Sequence, residues 1–144
     1  MTIRDCQPSD YRDIHRLNRQ SLGYDFPLEQ TRAQLAAILS RGRDRLFVAC
    51  LEGRVGGYIH GSDYHCTYAH SIKNIMAIAV EPDCQGRGAG RALLDAVEAW
   101  AREDGCSGVR LVSGMERTGA HQFYLRCGYA LRKEQKNFFK RLTP

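Results

Sequence analysis

No segment of the sequence is apolar for long enough to cross a membrane. No uninterrupted apolar run is longer than that of residues 46–51, which is far shorter than the ~20 residues that span a bilayer. The first residues also lack the apolar stretch that is typical of a secretory signal. We therefore expect a cytoplasmic protein that does not bind membranes.

The six cysteines lack the spacing of a metal or redox site, since no two of them form a CxxC pair. A chain of 144 residues can bury enough apolar surface to fold without disulfides. We expect free, mostly buried thiols, no bound metal, and a single domain that covers residues 1–144.

The positive charge of the chain is not clustered. The 21 Lys and Arg residues outnumber the 16 Asp and Glu residues, which gives a formal net charge of +5. Such an excess favours an anionic partner, which could be nucleic acid, a phosphate-rich cofactor or an acidic surface. Because the basic residues are scattered from Arg4 to Arg141 without a continuous run, we expect no nucleic-acid binding, which would show a steep salt dependence.

The spacing of apolar residues predicts a mixed sheet flanked by helices. Helical periodicity predicts helices at about residues 10–20, 28–40, 88–104 and 120–127. Extended apolar patterns predict strands at about residues 2–6, 46–51, 55–61, 71–80 and 109–113, and a last strand or hairpin within 129–142. The predicted order is β-α-α-β-β-β-α-β-α-β, with loops at 22–27 and 61–70.

A glycine-rich turn joins the strand that ends at Val80 to the helix that begins near residue 88. Its central residues are Gln85, Gly86, Arg87, Gly88, Ala89, Gly90 and Arg91. Glycine lets backbone N–H groups point outward, and the helix start adds free amides and the positive end of its dipole. The two arginines add charge, so the turn is predicted to bind a pyrophosphate.

Two common nucleotide-binding motifs are excluded by the residues of this turn. A Walker loop requires Gly-Lys-Ser/Thr, which the chain lacks. The dinucleotide fingerprint requires a third glycine where Arg91 stands.

The pattern Gln85-x-x-Gly88-x-Gly90, after a strand ending in Val80-x-Pro82, resembles the acyl-CoA signature of the GNAT N-acetyltransferases. A second motif, residues 120–124 followed by Gly128-Tyr129, is also similar to this family, and the resemblance covers nearly the whole chain. It implies an α/β fold with a central mixed, mostly antiparallel sheet and about four helices. It also implies direct transfer of acetyl from acetyl-CoA to a primary amine of a small molecule or peptide. The alternative is a non-catalytic regulatory module that binds acyl-CoA.

The resemblance also implies where acetyl-CoA, as co-substrate, would lie. The pyrophosphate would bind the backbone of residues 85–91, and the pantetheine arm would follow the strand at Ile78, Ala79 and Val80. A backbone N–H of this strand could polarise the thioester carbonyl. Arg117, where the family commonly has asparagine, would contact CoA or cap a helix.

Tyr124 corresponds to the tyrosine that faces the thioester sulfur in the family and serves as general acid. The general base is not specified, because residues 72–76 contain no carboxylate. Glu116, Asp63, His65, His70 or a relayed water are the alternatives, with Glu116 or water favoured. Cys84 precedes a helix N-terminus, where the pKa of a thiol can fall, but an acetyl-cysteine intermediate is not the usual route of the family.

The acceptor amine is expected to contact the loop at 22–27, the second helix and the loop at 61–70. Tyr24, Asp25 and Asp63 could attract its positive charge. We expect a monomer or a homodimer.

Overall fold

The computed structural model describes all residues from 1 to 144 and contains five strands and four helices. The strands are β1 (Thr2–Asp5), β2 (Asp44–Leu51), β3 (Arg54–Cys66), β4 (Ala69–Val80) and β5 (Val109–Leu111). The helices are α1 (Tyr11–Leu22), α2 (Leu28–Ser40), α3 (Ala89–Glu103) and α4 (Thr118–Arg126), with short 3-10 turns at Pro8–Asp10 and Pro82–Cys84. The chain forms two compact units, residues 1–112 and 113–144.

All five strands form one sheet in the first unit, in the order β1-β2-β3-β4-β5. The first three pairings are antiparallel, and β5 pairs in parallel with β4. The predicted mixed, mostly antiparallel sheet is therefore confirmed. A register shift between His60 and Gly61 of β3 leaves Met76 of β4 without a partner on β3, which makes a bulge in the middle of the sheet.

The two faces of the sheet are covered by different helices. On one face, α1 and α2 contribute Leu17 and Leu35 to a buried cluster that includes Val48 and Tyr58 of the sheet. On the other face lies α3, which buries the residues that the sequence predicts: Leu93, Leu94, Val97, Trp100 and Ala101. Full burial of a large apolar side chain contributes about 1.5–3 kcal/mol, so these two layers hold the first unit together.

Gly61 of β3 allows Trp100 of α3 to approach the sheet closely. A Cβ at residue 61 would lie 3.1 Å from the Trp100 ring and 3.5 Å from the methyl groups of Val97. Because over-packing a filled core costs about 1–3 kcal/mol, we expect Gly61→Val to lower the free energy of unfolding in urea by that amount. The control is Gly108→Val, since a Cβ there would meet only Ile72 at 3.9 Å. Equal stability of the two variants would contradict the close approach.

The structure corrects the predicted C-terminal strand. Residues 129–142 form neither a strand nor a hairpin, and every residue from 131 to 144 is exposed. A strand needs hydrogen bonds to a neighbouring strand and one buried face. This basic segment has neither.

The predicted loop at 61–70 is also wrong, because these residues extend β3 and β4 into a long hairpin. Cross-strand pairs such as Asp63 with Lys73 continue the ladder almost to its end. All six cysteines are free, as predicted, but only Cys6 and Cys84 are buried and the other four are half-buried. No group of three or more His, Cys, Asp or Glu side chains is arranged to hold a metal ion. None of the helices has the length and apolar character that a membrane crossing requires.

Candidate cofactor and acceptor sites

The glycine-rich turn presents unpaired backbone amides at the start of α3. Gly86 and Gly88 have φ of 78° and 84°, in the left-handed region that only glycine adopts without strain. The N–H groups of Gly86, Arg87 and Gly88 donate no well-formed hydrogen bond within the protein. The first residues of α3 follow directly, and the amides of a first helical turn have no acceptor inside the helix. This arrangement is suited to an anion.

Gln85, at the start of the turn, makes two hydrogen bonds to nearby backbone carbonyls. Its N–H donates to the carbonyl of Pro82 at 3.3 Å, and its side-chain amide donates to the carbonyl of Val80 at 3.2 Å. The side chain therefore bridges the end of β4 and the turn. Its backbone N–H already has an acceptor within the protein, unlike the three amides that follow it.

Glu81, directly after β4, is a buried charge that anchors the turn. Its side chain is 5% exposed and accepts hydrogen bonds from Arg54 of β3 and, at 3.4 Å, from Arg16 of α1. Its own N–H donates to the carbonyl of Gly56 at 2.9 Å. The turn therefore leaves the sheet from a point that two neighbouring elements hold in place.

We expect Glu81→Gln to lower the free energy of unfolding by about 1–3 kcal/mol, because Arg16 and Arg54 lose the anionic acceptor of their hydrogen bonds. Thermal unfolding measures the change. Glu52→Gln is the control, since it removes an exposed partner of Arg87, and exposed ion pairs contribute little. A Glu81→Gln protein as stable as the wild type would contradict the anchoring role.

Neighbouring groups favour the charged form of Arg87 and the neutral form of the Cys84 thiol. Arg87 Nη2 lies 3.0 Å from Glu52 Oε1, and this hydrogen bond raises the pKa of Arg87 above its ordinary value. Burial raises the pKa of the Cys84 thiol, which donates to Glu81 at 3.2 Å. The expectation that the helix N-terminus lowers the pKa of Cys84 is therefore wrong, because burial and the nearby carboxylate both disfavour a thiolate.

The backbone of β4 has an open edge just before the turn. Its pairing with β5 ends at Ile75, so the stretch from Met76 to Val80 has no strand partner on that side. Ile78, Ala79 and Val80, the predicted pantetheine contacts, all belong to this stretch. An extended ligand can pair with such an edge as an additional strand does.

Tyr124 lies on α4 in the second unit and is 9% exposed. Its ring is tilted against Phe123 and lies edge-on to Tyr129, with ring centroids 6.3 Å apart. Its hydroxyl has no hydrogen-bond partner within the protein. Burial raises the pKa of Tyr124 above its ordinary value, although the charge of Arg117 opposes this. The phenol is therefore a neutral group with a proton to donate.

Two other predicted residues of the second unit, Glu116 and Arg117, directly precede α4. Arg117 is exposed and occupies the N-cap position without a side-chain capping hydrogen bond. Glu116 is also exposed, and its carboxylate folds over Gly114, where it would lie 2.5 Å from an added Cβ. His121 Nε2 lies 2.8 Å from the carbonyl oxygen of Gly114.

An open pocket of about 500 Å³ lies beside β2, β3 and β4 in the first unit. It is lined by Arg41, Arg43, Asp44, Ser62, Asp63 and Met76. Of the three predicted acceptor contacts, only Asp63 lines this pocket. Tyr24 and Asp25 are on the exposed connection between α1 and α2.

Asp63 is paired with a buried cation. Lys73 Nζ lies 2.6 Å from Asp63 Oδ1 and from Asp104 Oδ2, and its side chain is 2% exposed. It also lies 3.8 Å from the centroid of the Trp100 ring. Burial alone would lower the pKa of Lys73, but the two carboxylates outweigh it and raise the pKa above its ordinary value. The charge of Asp63 is therefore balanced before any ligand binds.

A hydrogen-bonded pair that the sequence did not predict, Asp44 with His60, lies beside this pocket, and Asp44 is one of the lining residues. His60 Nε2 lies 2.6 Å from Asp44 Oδ2, and the side chains are 13% and 10% exposed. Asp44 precedes the predicted strand at 46–51, and His60 lies inside the predicted strand at 55–61. Because side chains alternate along a strand, Tyr58 and His60 lie on one face of β3. This spacing is the only feature of the sequence that indicated where the His60 side chain lies.

Comparison with known proteins connects this geometry to a family. The sequence profile of the Acetyltransferase (GNAT) family matches residues 11–129. An aminoglycoside N(6')-acetyltransferase type 1 from Stenotrophomonas maltophilia is 33% identical over 137 residues, which cover 89% of this chain and 85% of the relative. An aminoalkylphosphonate N-acetyltransferase from Salmonella typhimurium is 29% identical over 128 residues, covering 88% of this chain and 83% of that protein. The fold matches the aminoglycoside N-acetyltransferase AAC(6')-Iy in complex with CoA, with a TM-score of 0.85 at 20% identity over 99% of this chain and 95% of that one.

Proposed function

The chain belongs to the GNAT acetyltransferase family and is an acetyl-CoA-dependent N-acetyltransferase, and on that premise we propose that it acetylates the primary amine of a small molecule. Two relatives are named for such acceptors, aminoglycosides in one case and aminoalkylphosphonates in the other. A peptide amine is the competing acceptor.

The observation that carries the proposal is the set of unpaired amides at Gly86, Arg87 and Gly88. We propose that they bind the diphosphate of acetyl-CoA together with Ala89, Gly90 and Arg91 of the first turn of α3. Backbone amides and a helix dipole favour the two negative charges of a diphosphate. Arg87 would then exchange its exposed contact with Glu52 for the ligand. Gln85 stabilises the turn through the hydrogen bond from its side-chain amide to the carbonyl of Val80.

The donor supplies an acetyl thioester. We propose that its extended arm pairs with the open edge of β4 at Ile78, Ala79 and Val80. A backbone N–H of this edge then donates to the carbonyl oxygen as negative charge develops there, which lowers the barrier to attack.

We propose Tyr124 as the general acid. Its buried, neutral phenol has no partner of its own, so its proton is available to the departing thiolate. Arg117 is proposed as a further contact to CoA. Glu116 is the sequence-based candidate for the general base.

The acceptor would approach from the side of Asp63, and Tyr24 and Asp25 are proposed as contacts from the α1–α2 connection. We propose further that both compact units form one acetyltransferase domain, because the matched residues 11–129 span the boundary between them. We also predict a cytoplasmic location and a monomeric or homodimeric state.

Release of free thiol from acetyl-CoA tests the function on a panel of aminoglycosides, aminoalkylphosphonates, polyamines and lysine peptides. We expect turnover with at least one small amine and weaker turnover with peptides. A clear preference for peptides would overturn the proposed acceptor class. Tight binding of acetyl-CoA without turnover of any amine would instead favour the non-catalytic module.

A further inference from the structure

A half-buried histidine, His60, is hydrogen-bonded to Asp44, a half-buried carboxylate that lines the pocket beside β4. His60 of β3 pairs with Leu46 of β2, and Asp44 of β2 pairs with Ser62 of β3. His60 and Asp44 are therefore diagonal neighbours on the same face of the sheet. The carboxylate holds Nε2 of the ring at 2.6 Å. This contact fixes the ring orientation and places a proton on Nε2, so that Nδ1 keeps its lone pair.

Nδ1 of His60 is unpaired but is not sealed inside the protein. It has no hydrogen-bond partner. The buried side-chain polar atoms without a partner are Nε of Arg16 and Oγ of Ser113, so Nδ1 of His60 is not fully buried. A ring with one nitrogen on a carboxylate and the other open can accept a proton from a ligand.

His60 also lies beside the part of β4 that we propose to carry the thioester. It pairs across the sheet with Ala77, next to the bulge at Met76. Met76 is 59% exposed and lines the pocket together with Asp44. The ring is therefore one strand away from the open edge of β4.

The other groups near the pocket are poorly suited to accept a proton. Asp63 is engaged by Lys73 at 2.6 Å, and the side chains of Met76 and Ala77 on β4 carry no base. Arg41, whose Nη2 is 3.9 Å from Asp44 Oδ2, and Arg43 are permanently charged. Glu116, the candidate that the sequence favoured, belongs to the second unit and does not line this pocket; it is exposed and has no hydrogen-bond partner that fixes its orientation.

Resting on the proposed function, we infer that His60 is the general base that takes the proton of the acceptor amine, and that Asp44 is its positioning residue. A primary amine is an ammonium ion at neutral pH and cannot attack until one proton leaves. His60 Nδ1 takes that proton and releases it to water. As the amine nitrogen bonds to the acetyl carbon and the carbon–sulfur bond breaks, the nitrogen loses its second proton to water, and the thiolate is protonated by the general acid, which water then reprotonates. The products are the amide, CoA with a free thiol, and one proton in solution.

The test compares His60→Gln with His15→Gln, a half-buried histidine of α1 that belongs to none of the proposed sites. With the best amine of the panel, we expect kcat of His60→Gln to fall by about 10²–10⁴-fold, and kcat of His15→Gln to stay near the wild-type value. The affinity for acetyl-CoA, measured by calorimetry, should be unchanged in both. The acidic limb of the pH profile of kcat/KM should disappear only in His60→Gln. Added imidazole should restore part of the rate in His60→Ala.

A second variant keeps the inference testable if His60→Gln does not fold. Asp44→Asn leaves the imidazole but removes its anionic partner, so we expect a lower kcat and a displaced acidic limb with unchanged affinity for acetyl-CoA. Wild-type kcat and pH profile in a folded His60→Gln or Asp44→Asn would overturn this inference alone. Absence of turnover in the wild type with every amine would overturn the proposed function, and the inference with it.

Discussion

Replacing Gly88 with glutamate is expected to abolish binding of acetyl-CoA. Gly88 has φ of 84° and directly precedes α3, so the change strains the backbone and puts a carboxylate where we propose the diphosphate. Isothermal titration calorimetry with CoA measures the effect. We expect no detectable heat of binding at concentrations that saturate the wild type.

The control for this variant is Gly105→Glu. Gly105 also has a left-handed backbone, with φ of 70°, but it lies just beyond the C-terminal end of α3. Both variants therefore carry a similar backbone strain and the same added charge. Loss of CoA binding in Gly88→Glu alone would support the glycine turn as the phosphate site. Wild-type affinity in a folded Gly88→Glu would refute it.

Replacing Tyr124 with phenylalanine should reduce turnover by about 10²-fold or more, while the affinity for CoA stays nearly the same. The variant keeps the buried ring and removes only the hydroxyl, which has no partner in the protein. The departing thiolate then has to take its proton from water. Steady-state thiol release, together with calorimetry, separates the loss in kcat from any loss in binding.

The pH profile provides a second test of Tyr124. Because burial raises the pKa of its phenol, the group stays protonated up to and beyond the ordinary tyrosine value of about 10. Ionisation of Tyr124 should therefore not limit the rate below that pH. Tyr129→Phe is the matched control, since its ring contacts Tyr124 edge-on, and we expect it to retain turnover. Equal activity of Tyr124→Phe and the wild type would remove Tyr124 from the mechanism.

Much of the fold could be predicted because its information is local. The predicted helix at 28–40 agrees with α2 at both ends, and the apolar stripe of α3 is buried as its 3.6-residue period requires. The hairpin of β3 and β4 was predicted too short. Its outer half carries polar residues whose pairing, as in Asp63 with Lys73, depends on the partner strand rather than on local pattern.

The sequence by itself determined the family and the glycine-rich turn that we propose to bind phosphate. Spaced glycines dictate backbone conformation, and a helix start exposes amides whatever surrounds it. Only the tertiary structure decided which polar side chains meet: His60 with Asp44, Lys73 with Asp63, and Glu81 with Arg16. These partners are far apart in sequence or on different strands, and they meet because strand register and helix packing are set by burial of the whole core. The chemistry of an isolated side chain therefore does not reveal whether its charge is free, balanced or oriented.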